Sequence, residues 1–156
     1  MKKFITILVF FYIITSSVKI YADETRAPMS LSFGVFTRHM RSTDDVNENS
    51  RLLAFSYDDW FLAWFNNSYS KESFFFGKRI HTERRCHNKC KNWFLQANLY
   101  CGAVHGYGDR IPINLKGVAP FMLPTVGIGY KNYSFELGVT PTTDNSAVVG
   151  MFKIEF

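Results

Sequence analysis

The chain has 156 residues, which is enough for one domain only, and it carries 18 Lys and Arg against 13 Asp and Glu, a net charge of +5. Three of the cations, Lys2, Lys3 and Lys19, lie in the first 22 residues, so the rest of the chain has a charge of only about +2. The sequence has neither a basic stripe nor zinc-finger spacing, so its composition argues against a nucleic-acid-binding function.

Residues 1–22 have the organisation of a secretory signal peptide. Two lysines precede an apolar run, and the small residue Ala22 is followed by two acids. The alternative is an uncleaved membrane anchor, but Lys19 ends the apolar run early, and the run is short for a spanning helix. We therefore predict cleavage after Ala22 and a mature domain of residues 23–156.

The mature chain contains segments in which apolar and polar residues alternate, and this alternation predicts strands. We predict eight: residues 30–40, 51–57, 61–67, 73–82, 93–105, 118–130, 133–140 and 147–156. Short and long connections alternate between them, with the long fourth connection as an exception. The expected fold class is all-β, an eight-stranded antiparallel barrel whose even strand number places both termini on one side.

The last predicted strand indicates where such a barrel resides. Phe152 and Ile154 alternate with Lys153 and Glu155 before the chain ends on Phe156, so one face is apolar and the other is polar. Soluble and membrane barrels share this alternation. The export signal, the terminal phenylalanine and a content of 16 Phe, 8 Tyr and 3 Trp favour an outer-membrane barrel, whose two interfaces carry aromatic girdles.

A secreted soluble barrel that carries a lipid is an alternative, and the polarity of the lumen distinguishes it. A lipid carrier of this kind needs an apolar interior. Gln96, Glu136 and Lys153 instead fall on the face that the strand pattern predicts to be internal. These three polar residues therefore argue against a soluble lipid carrier.

The predicted topology brings a histidine and a serine to the same rim of the barrel. The first strand ends at His39, the third at Asn66-Asn67-Ser68 and the fifth at His105, all on the side away from the termini. A histidine beside a serine can form a nucleophile–base pair or an acyl-positioning pair. The alternative is that these are solvated loop residues.

Several short motifs follow one another in a particular order. They are His39, Asn47-Glu48, Phe65-Asn66-Asn67-Ser68-Tyr69, the proline-containing stretch 120–130 that runs into Gly-Tyr, and Pro141. In these motifs and their order the chain resembles the lipid A palmitoyltransferase (PagP) family of outer-membrane enzymes. The resemblance implies an eight-stranded barrel that transfers an acyl chain from a phospholipid to lipid A at its outer rim.

The resemblance also implies roles for three site residues. His39 would act as general base or polarise the acceptor hydroxyl, Ser68 would hydrogen-bond the ester carbonyl or its oxyanion, and Asn67 stands where the family has an aspartate. The expected location is the outer membrane, the expected partners are membrane phospholipid and lipopolysaccharide, and the expected state is a monomer. No metal or organic cofactor is implied. The alternative function is a non-catalytic barrel whose loops bind or mask a surface partner.

The chain departs from the family pattern at two points. Asparagine cannot carry the negative charge that would stabilise a histidinium, so Asn67→Asp is expected to preserve or raise activity, and Asp44, Asp45 or Glu48 are candidates to replace that charge. The family also has an amphipathic helix before the barrel, and residues 23–29 are too few to form one.

Two prolines interrupt the sixth predicted strand. Pro120 and Pro124 cannot donate to a sheet ladder, and a closed barrel offers no edge strand to hold them. One interpretation is a lateral opening through which an acyl chain passes from the membrane into the lumen. The other is that both prolines lie above the hydrocarbon zone, where water satisfies the neighbouring backbone groups.

The cysteines leave three possibilities open. Cys86 and Cys90 form a local disulfide, remain free thiols, or bind a metal together with His81 and His87. Cys101 has the parity of the apolar face, so we expect it to face lipid and to be unpaired.

Overall fold

The structure is a computed structural model, and it describes residues 29–40, 46–86, 90–108, 111, 113–140 and 146–156. These residues form eight strands: β1 (Met29–His39), β2 (Leu53–Tyr57), β3 (Trp60–Asn66), β4 (Glu72–Arg85), β5 (Trp93–His105), β6 (Val118–Tyr130), β7 (Tyr133–Val139) and β8 (Ala147–Glu155). Each strand pairs antiparallel with the next, and β8 pairs with β1, so the sheet closes into a barrel. The predicted fold class is confirmed.

The strand boundaries differ from the predicted ones by three residues at most. The largest difference is at β4, which continues to Arg85 because its last residues pair with the start of β5, where Arg85 lies opposite Phe94. β2 and β3 have five and seven residues, as short as the sequence indicates. Asp58 and Asp59 turn the chain between them with φ angles of 45° and 66°, a region that Asp enters more readily than most residues.

The two ends of the barrel carry different parts of the chain. We call the end with the loops after β1, β3, β5 and β7 the loop rim, and the opposite end the terminal rim. The even number of strands returns the chain to the side from which it started. The amide of Phe156 accordingly donates a hydrogen bond of 3.1 Å to the carbonyl oxygen of Met29 at the terminal rim.

The outer face of the barrel is apolar. Outward-facing side chains such as Leu62 and Val126 are exposed over more than half of their surface, at 52% and 63%. Toward the terminal rim this face ends in exposed aromatic residues: Tyr57, Trp60, Trp93, Tyr130, Tyr133 and Phe156. The ammonium of Lys78 lies 4.8 Å from the ring centroid of Trp60. An eight-stranded barrel with an apolar outside and an aromatic border fits an outer-membrane protein.

Some predictions concern residues that the structure does not describe. The predicted signal peptide, residues 1–22, is one of these, and Asp44, Asp45, His87 and Pro141 are others. Within the described part of the chain, no helix has the length and hydropathy that crossing a membrane requires. Predictions about the undescribed residues therefore stay predictions.

The lumen has an apolar half near the loop rim. Its buried side chains come from six of the strands: Ala54, Phe61, Ala63, Phe75, Tyr100, Val104, Ala119, Leu123, Val149 and Met151. Phe65 and Phe121 pack against this cluster. Alternation along each strand directs these residues inward while their neighbours face outward.

The half of the lumen near the terminal rim is polar, and Glu136 lies at its centre. The carboxylate accepts hydrogen bonds from Gln96 Nε2 at 2.9 Å, Tyr100 Oη at 3.0 Å and Thr125 Oγ1 at 2.8 Å. Lys153 Nζ lies 3.1 Å from Glu136 Oε1, the oxygen that also accepts from Gln96. Gln96, Glu136 and Lys153 thus all face inward, as the strand pattern predicts, and the lumen is not the uniformly apolar one of a soluble lipid carrier.

β6 extends past its neighbour β7. The ladder between them begins at the pair Thr125–Gly138, so β6 from Val118 to Pro124 is paired with β5 but not with β7. Pro120 and Pro124 both lie in this stretch, where a missing N–H gives up no bond toward β7. Of the residues that the structure describes, none pairs with Ala119–Pro124 on the side that faces β7, and the outward-facing Met122 is 46% exposed in the apolar face.

The cysteines adopt one of the predicted arrangements. Cys86 and Cys90 form a disulfide in the connection between β4 and β5, so their sulfurs are not present as thiolate ligands for a metal. Cys101 is a free cysteine on the outward-facing side of β5, as its parity predicts.

Candidate functional site

The structure brings His39 and Ser68 into direct contact at the loop rim. His39 is the last residue of β1, and Ser68 lies in the turn after β3, two residues beyond Asn66. The Nε2 atom of His39 lies 2.8 Å from the hydroxyl oxygen of Ser68. This distance is that of a hydrogen bond, and it is short enough for proton transfer between an imidazole and a hydroxyl. The two residues are 29 positions apart in the sequence.

The segment after β1 holds the turn that carries Ser68. The amide of Asn47 donates to the Ser68 carbonyl oxygen at 2.9 Å, and the Asn47 side chain donates to the Asn67 carbonyl oxygen at 3.2 Å. Asn66 N donates to Ser50 O at 2.7 Å. Three bonds therefore fix the backbone of the turn against the segment that leads into β2, which limits the movement of the serine hydroxyl.

Asn67 is buried beside this pair and does not itself bond to it. Its Nδ2 donates to Ser73 Oγ and to Gly106 O, both at 3.0 Å. Its Oδ1 accepts from the amides of Tyr69 at 2.9 Å and Lys71 at 3.1 Å. An amide side chain has two donor hydrogens and two acceptor lone pairs, so these four bonds use its full capacity. Asn67 therefore acts on Ser68 through the shape of the turn.

Gly106 makes this arrangement possible. Its φ of 114° is in a region that L side chains rarely adopt. A Cβ at this position would also lie 2.3 Å from Ser73 Oγ and 2.4 Å from Glu72 O. Ser73 itself is completely buried, with 0% exposure. The close approach of β5 to β4 lets the Gly106 carbonyl reach the Asn67 amide.

Electrostatics keep the imidazole of His39 in its neutral form. Partial burial lowers the pKa of His39, because desolvation disfavours the imidazolium, and the carboxylate of Glu48 raises it to a lesser extent. Glu48 also forms an ion pair of 3.1 Å with Arg38. Arg38 is 76% exposed at the side-chain level, so His39 lies at the level of solvent-exposed charges, beyond the apolar band. A neutral imidazole is the form that accepts a proton.

Aromatic side chains surround the site on the side of the lumen. The ring centroids of Phe65 and Tyr107 lie 6.5 Å apart, and Tyr69 meets Tyr107 edge to face at the same distance. Burial and the neighbouring Tyr69 raise the pKa of Tyr107 to about 12, so its hydroxyl stays protonated. These rings join the apolar half of the lumen to the rim.

Of the predicted site residues, the structure brings His39 and Ser68 together and places Asn67 in the adjoining turn. Sequence reasoning did not identify Ser73, Gly106 or Tyr107 as part of the site. The Gly-Tyr-Gly sequence at residues 106–108 was the available signal, since glycines on both sides of an aromatic residue mark a backbone that L residues disfavour.

The comparisons with known proteins add no assignment. The chain matches no model of a known protein family and no curated protein.

Proposed function

We propose that the protein is an outer-membrane acyltransferase that moves an acyl chain from a phospholipid to lipid A, with His39 as the general base and Ser68 as a hydrogen-bond donor to the oxyanion. The observation that carries the proposal is the contact of 2.8 Å between His39 Nε2 and Ser68 Oγ at the loop rim of a barrel. The resemblance to the lipid A palmitoyltransferase family supplies the reaction and the substrates. The apolar outer face and its aromatic border support a location in the outer membrane.

In the proposed reaction, a hydroxyl of lipid A attacks the ester carbonyl of the phospholipid. The neutral imidazole of His39 takes the proton of this hydroxyl, and Ser68 donates a hydrogen bond to the developing oxyanion. The proton then passes from His39 to the oxygen of the departing lysophospholipid. Substrate binding must separate the resting His39–Ser68 contact, because Nε2 and Oγ then address different substrate atoms.

The lumen supports the proposal by offering an apolar environment next to this pair. Phe65 and Tyr107 lie at the loop rim, and Phe61, Phe75 and Leu123 continue inward from them. The polar network around Glu136 closes this apolar half from below. An acyl chain held against these side chains stays out of water, where each exposed methylene group would cost about 0.8 kcal/mol.

The gap beside β6 supports the proposal as a route for that chain. Val118–Pro124 has no ladder partner on β7, and the inward-facing Leu123 of this stretch belongs to the apolar lumen. Such a gap lets lipid approach the lumen from the side, without passing through the polar surface of the rim.

The test is the lipid A mass spectrum of cells that express the protein. Wild type should add one acyl chain. Ser68→Ala should lower the rate on the order of 10²- to 10³-fold, as is typical for loss of an oxyanion donor, and His39→Ala should lower it by roughly 10²- to 10⁴-fold. Ser70→Ala is the matched control, because Ser70 is exposed in the same turn.

Each variant must first be shown to fold. A folded barrel migrates differently on a gel before and after boiling, and it partitions with the outer membrane. If folded wild type acylates no lipid, the enzymatic proposal fails and the non-catalytic binding barrel takes its place. If acylation persists in both alanine variants, the site proposed here is wrong.

A further inference from the structure

A groove at the terminal rim lies at the opposite end of the barrel from His39 and Ser68. It has a volume of about 370 Å³ and is bordered by the ends of β4, β5 and β6. Its walls include Arg84, Trp93, Leu95, Ile128 and the Cys86–Cys90 disulfide. The acyl-transfer proposal makes no use of this groove.

The floor of the groove is apolar and belongs to the outer face of the barrel. Leu95 and Ile128 are opposite each other in the register of β5 and β6 and are 60% and 47% exposed. Trp93, at the start of β5, packs on Tyr130 with a ring separation of 5.2 Å. From Trp93 to Leu95 and Ile128, the groove passes from the aromatic border to the aliphatic face, which is the polarity gradient of a membrane interface.

The wall of the groove that the end of β4 forms is cationic. Arg84 is exposed and lies opposite Leu95 in the register of β4 and β5. Among the residues that the structure describes, Arg84 forms no ion pair, whereas Arg85 pairs with Glu83 at 2.8 Å. Lys91 is exposed in the same connection. The groove thus combines a guanidinium available for a ligand with an adjacent apolar floor of Leu95 and Ile128.

We propose that this groove binds an anionic phospholipid from the leaflet at the terminal rim. The phosphate would accept hydrogen bonds from the Arg84 guanidinium, which matches the geometry of phosphate oxygens. One acyl chain would lie over Leu95 and Ile128, with Trp93 at the level of the ester groups. Charge complementarity selects an anionic head group over a zwitterionic one. The proposal requires a membrane barrel but no acyl transfer.

The test is native mass spectrometry of the folded, detergent-purified protein, titrated with phosphatidylglycerol or with phosphatidylcholine of the same acyl chains. Wild type should retain phosphatidylglycerol roughly fivefold better, as expected for one partly exposed ionic contact. Arg84→Gln should lose this preference. Lys116→Gln, which removes the same charge from an exposed loop at the loop rim, should keep it. Equal retention of both lipids by wild type, or an unchanged preference in Arg84→Gln, would overturn the proposal.

Two further arms identify the ligand and separate this proposal from the enzymatic one. Inorganic phosphate should not displace the lipid, because it cannot occupy the apolar floor; efficient displacement would mean a site for a free anion and would contradict the lipid. In a Trp60→Phe/Trp64→Phe background, brominated phosphatidylglycerol should quench the remaining Trp93 more than brominated phosphatidylcholine does. Ser68→Ala should leave both results unchanged, so loss of acyl transfer and loss of lipid retention are distinguishable.

Discussion

The Nδ2 atom of Asn67 donates a hydrogen bond of 3.0 Å to the carbonyl oxygen of Gly106, and this bond joins the turn that carries Ser68 to the end of β5. The donor is essential to the contact, because a carbonyl can only accept. An asparagine therefore meets a structural requirement at a position where the family resemblance suggests a negative charge. The geometry changes the expectation for Asn67→Asp.

Asn67→Asp should destabilise the loop rim and lower acylation. The carboxylate can still accept from the amides of Tyr69 and Lys71, but it has no hydrogen for Gly106 O. An unsatisfied buried group typically costs about 1–3 kcal/mol. Below a pH of about 4 the carboxyl is protonated and can donate again, so the difference from wild type should shrink as the pH falls. Urea unfolding at neutral and at acidic pH measures this change.

The control for this prediction is Asn66→Asp, which makes the same chemical change one residue earlier on the outward side of β3. It should have little effect on stability, because the hydrogen bond from Asn66 to the Ser50 carbonyl oxygen is donated by the backbone amide, which the substitution keeps. If Asn67→Asp is as stable and at least as active as wild type, the charge interpretation drawn from the sequence is correct and the structural one is wrong.

Glu48→Gln should move the pH dependence of acylation. Burial holds the pKa of His39 below 6.5, and the carboxylate of Glu48 opposes this shift. The rate should be constant above the His39 pKa and fall as the pH decreases through it, since only the neutral imidazole accepts a proton. Removing the carboxylate lowers the pKa further, so the acid limb of the profile should move to lower pH. Glu72→Gln, at the same rim, is the control and should leave the acid limb in place.

The thiol count should change with reduction. Because Cys86 and Cys90 are joined, the unfolded and unreduced protein should react with a thiol reagent at Cys101 alone, and after reduction all three cysteines should react. Cys101→Ser should show no reactive thiol before reduction. Three reactive thiols in unreduced wild type would mean that the disulfide does not form.

The strands could be predicted from the sequence because each buries one face. Phe152 and Lys153 illustrate this, since the outward phenylalanine and the inward lysine follow directly from alternation. The extension of β4 to Arg85 could not be predicted, because the last residues of this strand are charged on both faces. They adopt strand structure only because they pair with β5.

The site was predictable to the extent that topology determines it. Strands that end at the same rim bring His39 near Ser68, and the structure places them in contact. The partners of Asn67 were not predictable, because Gly106 lies 39 residues away and no local pattern indicates that its carbonyl accepts a side-chain bond. Long-range pairing of β4 with β5 creates that contact.

The polar half of the lumen depends on a balance of charges around Lys153. Its ammonium lies 3.0 Å from Glu155 Oε1, 3.1 Å from Glu136 Oε1 and 3.2 Å from Gln96 Oε1, and both Lys153 and Glu136 are only 1% exposed. Arg79 NH1 lies 3.8 Å from Glu155. One lysine therefore serves two carboxylates, so removing the lysine and removing one carboxylate are not equivalent.

Lys153→Met should be the most destabilising change in this network. It leaves Glu136 and Glu155 buried with Arg79 as their nearby cation, and loss of one partner from a buried pair costs about 3–5 kcal/mol. Glu136→Gln should cost less, because Lys153 keeps Glu155. The double variant should be more stable than Lys153→Met alone, since the second change removes the stranded carboxylate. Urea titrations measure the stability of the two single variants and the double variant, with the folded fraction read from the gel shift between unboiled and boiled samples. The exposed Lys131→Met is the control. Additive costs in the double variant would show that the two charges do not stabilise each other.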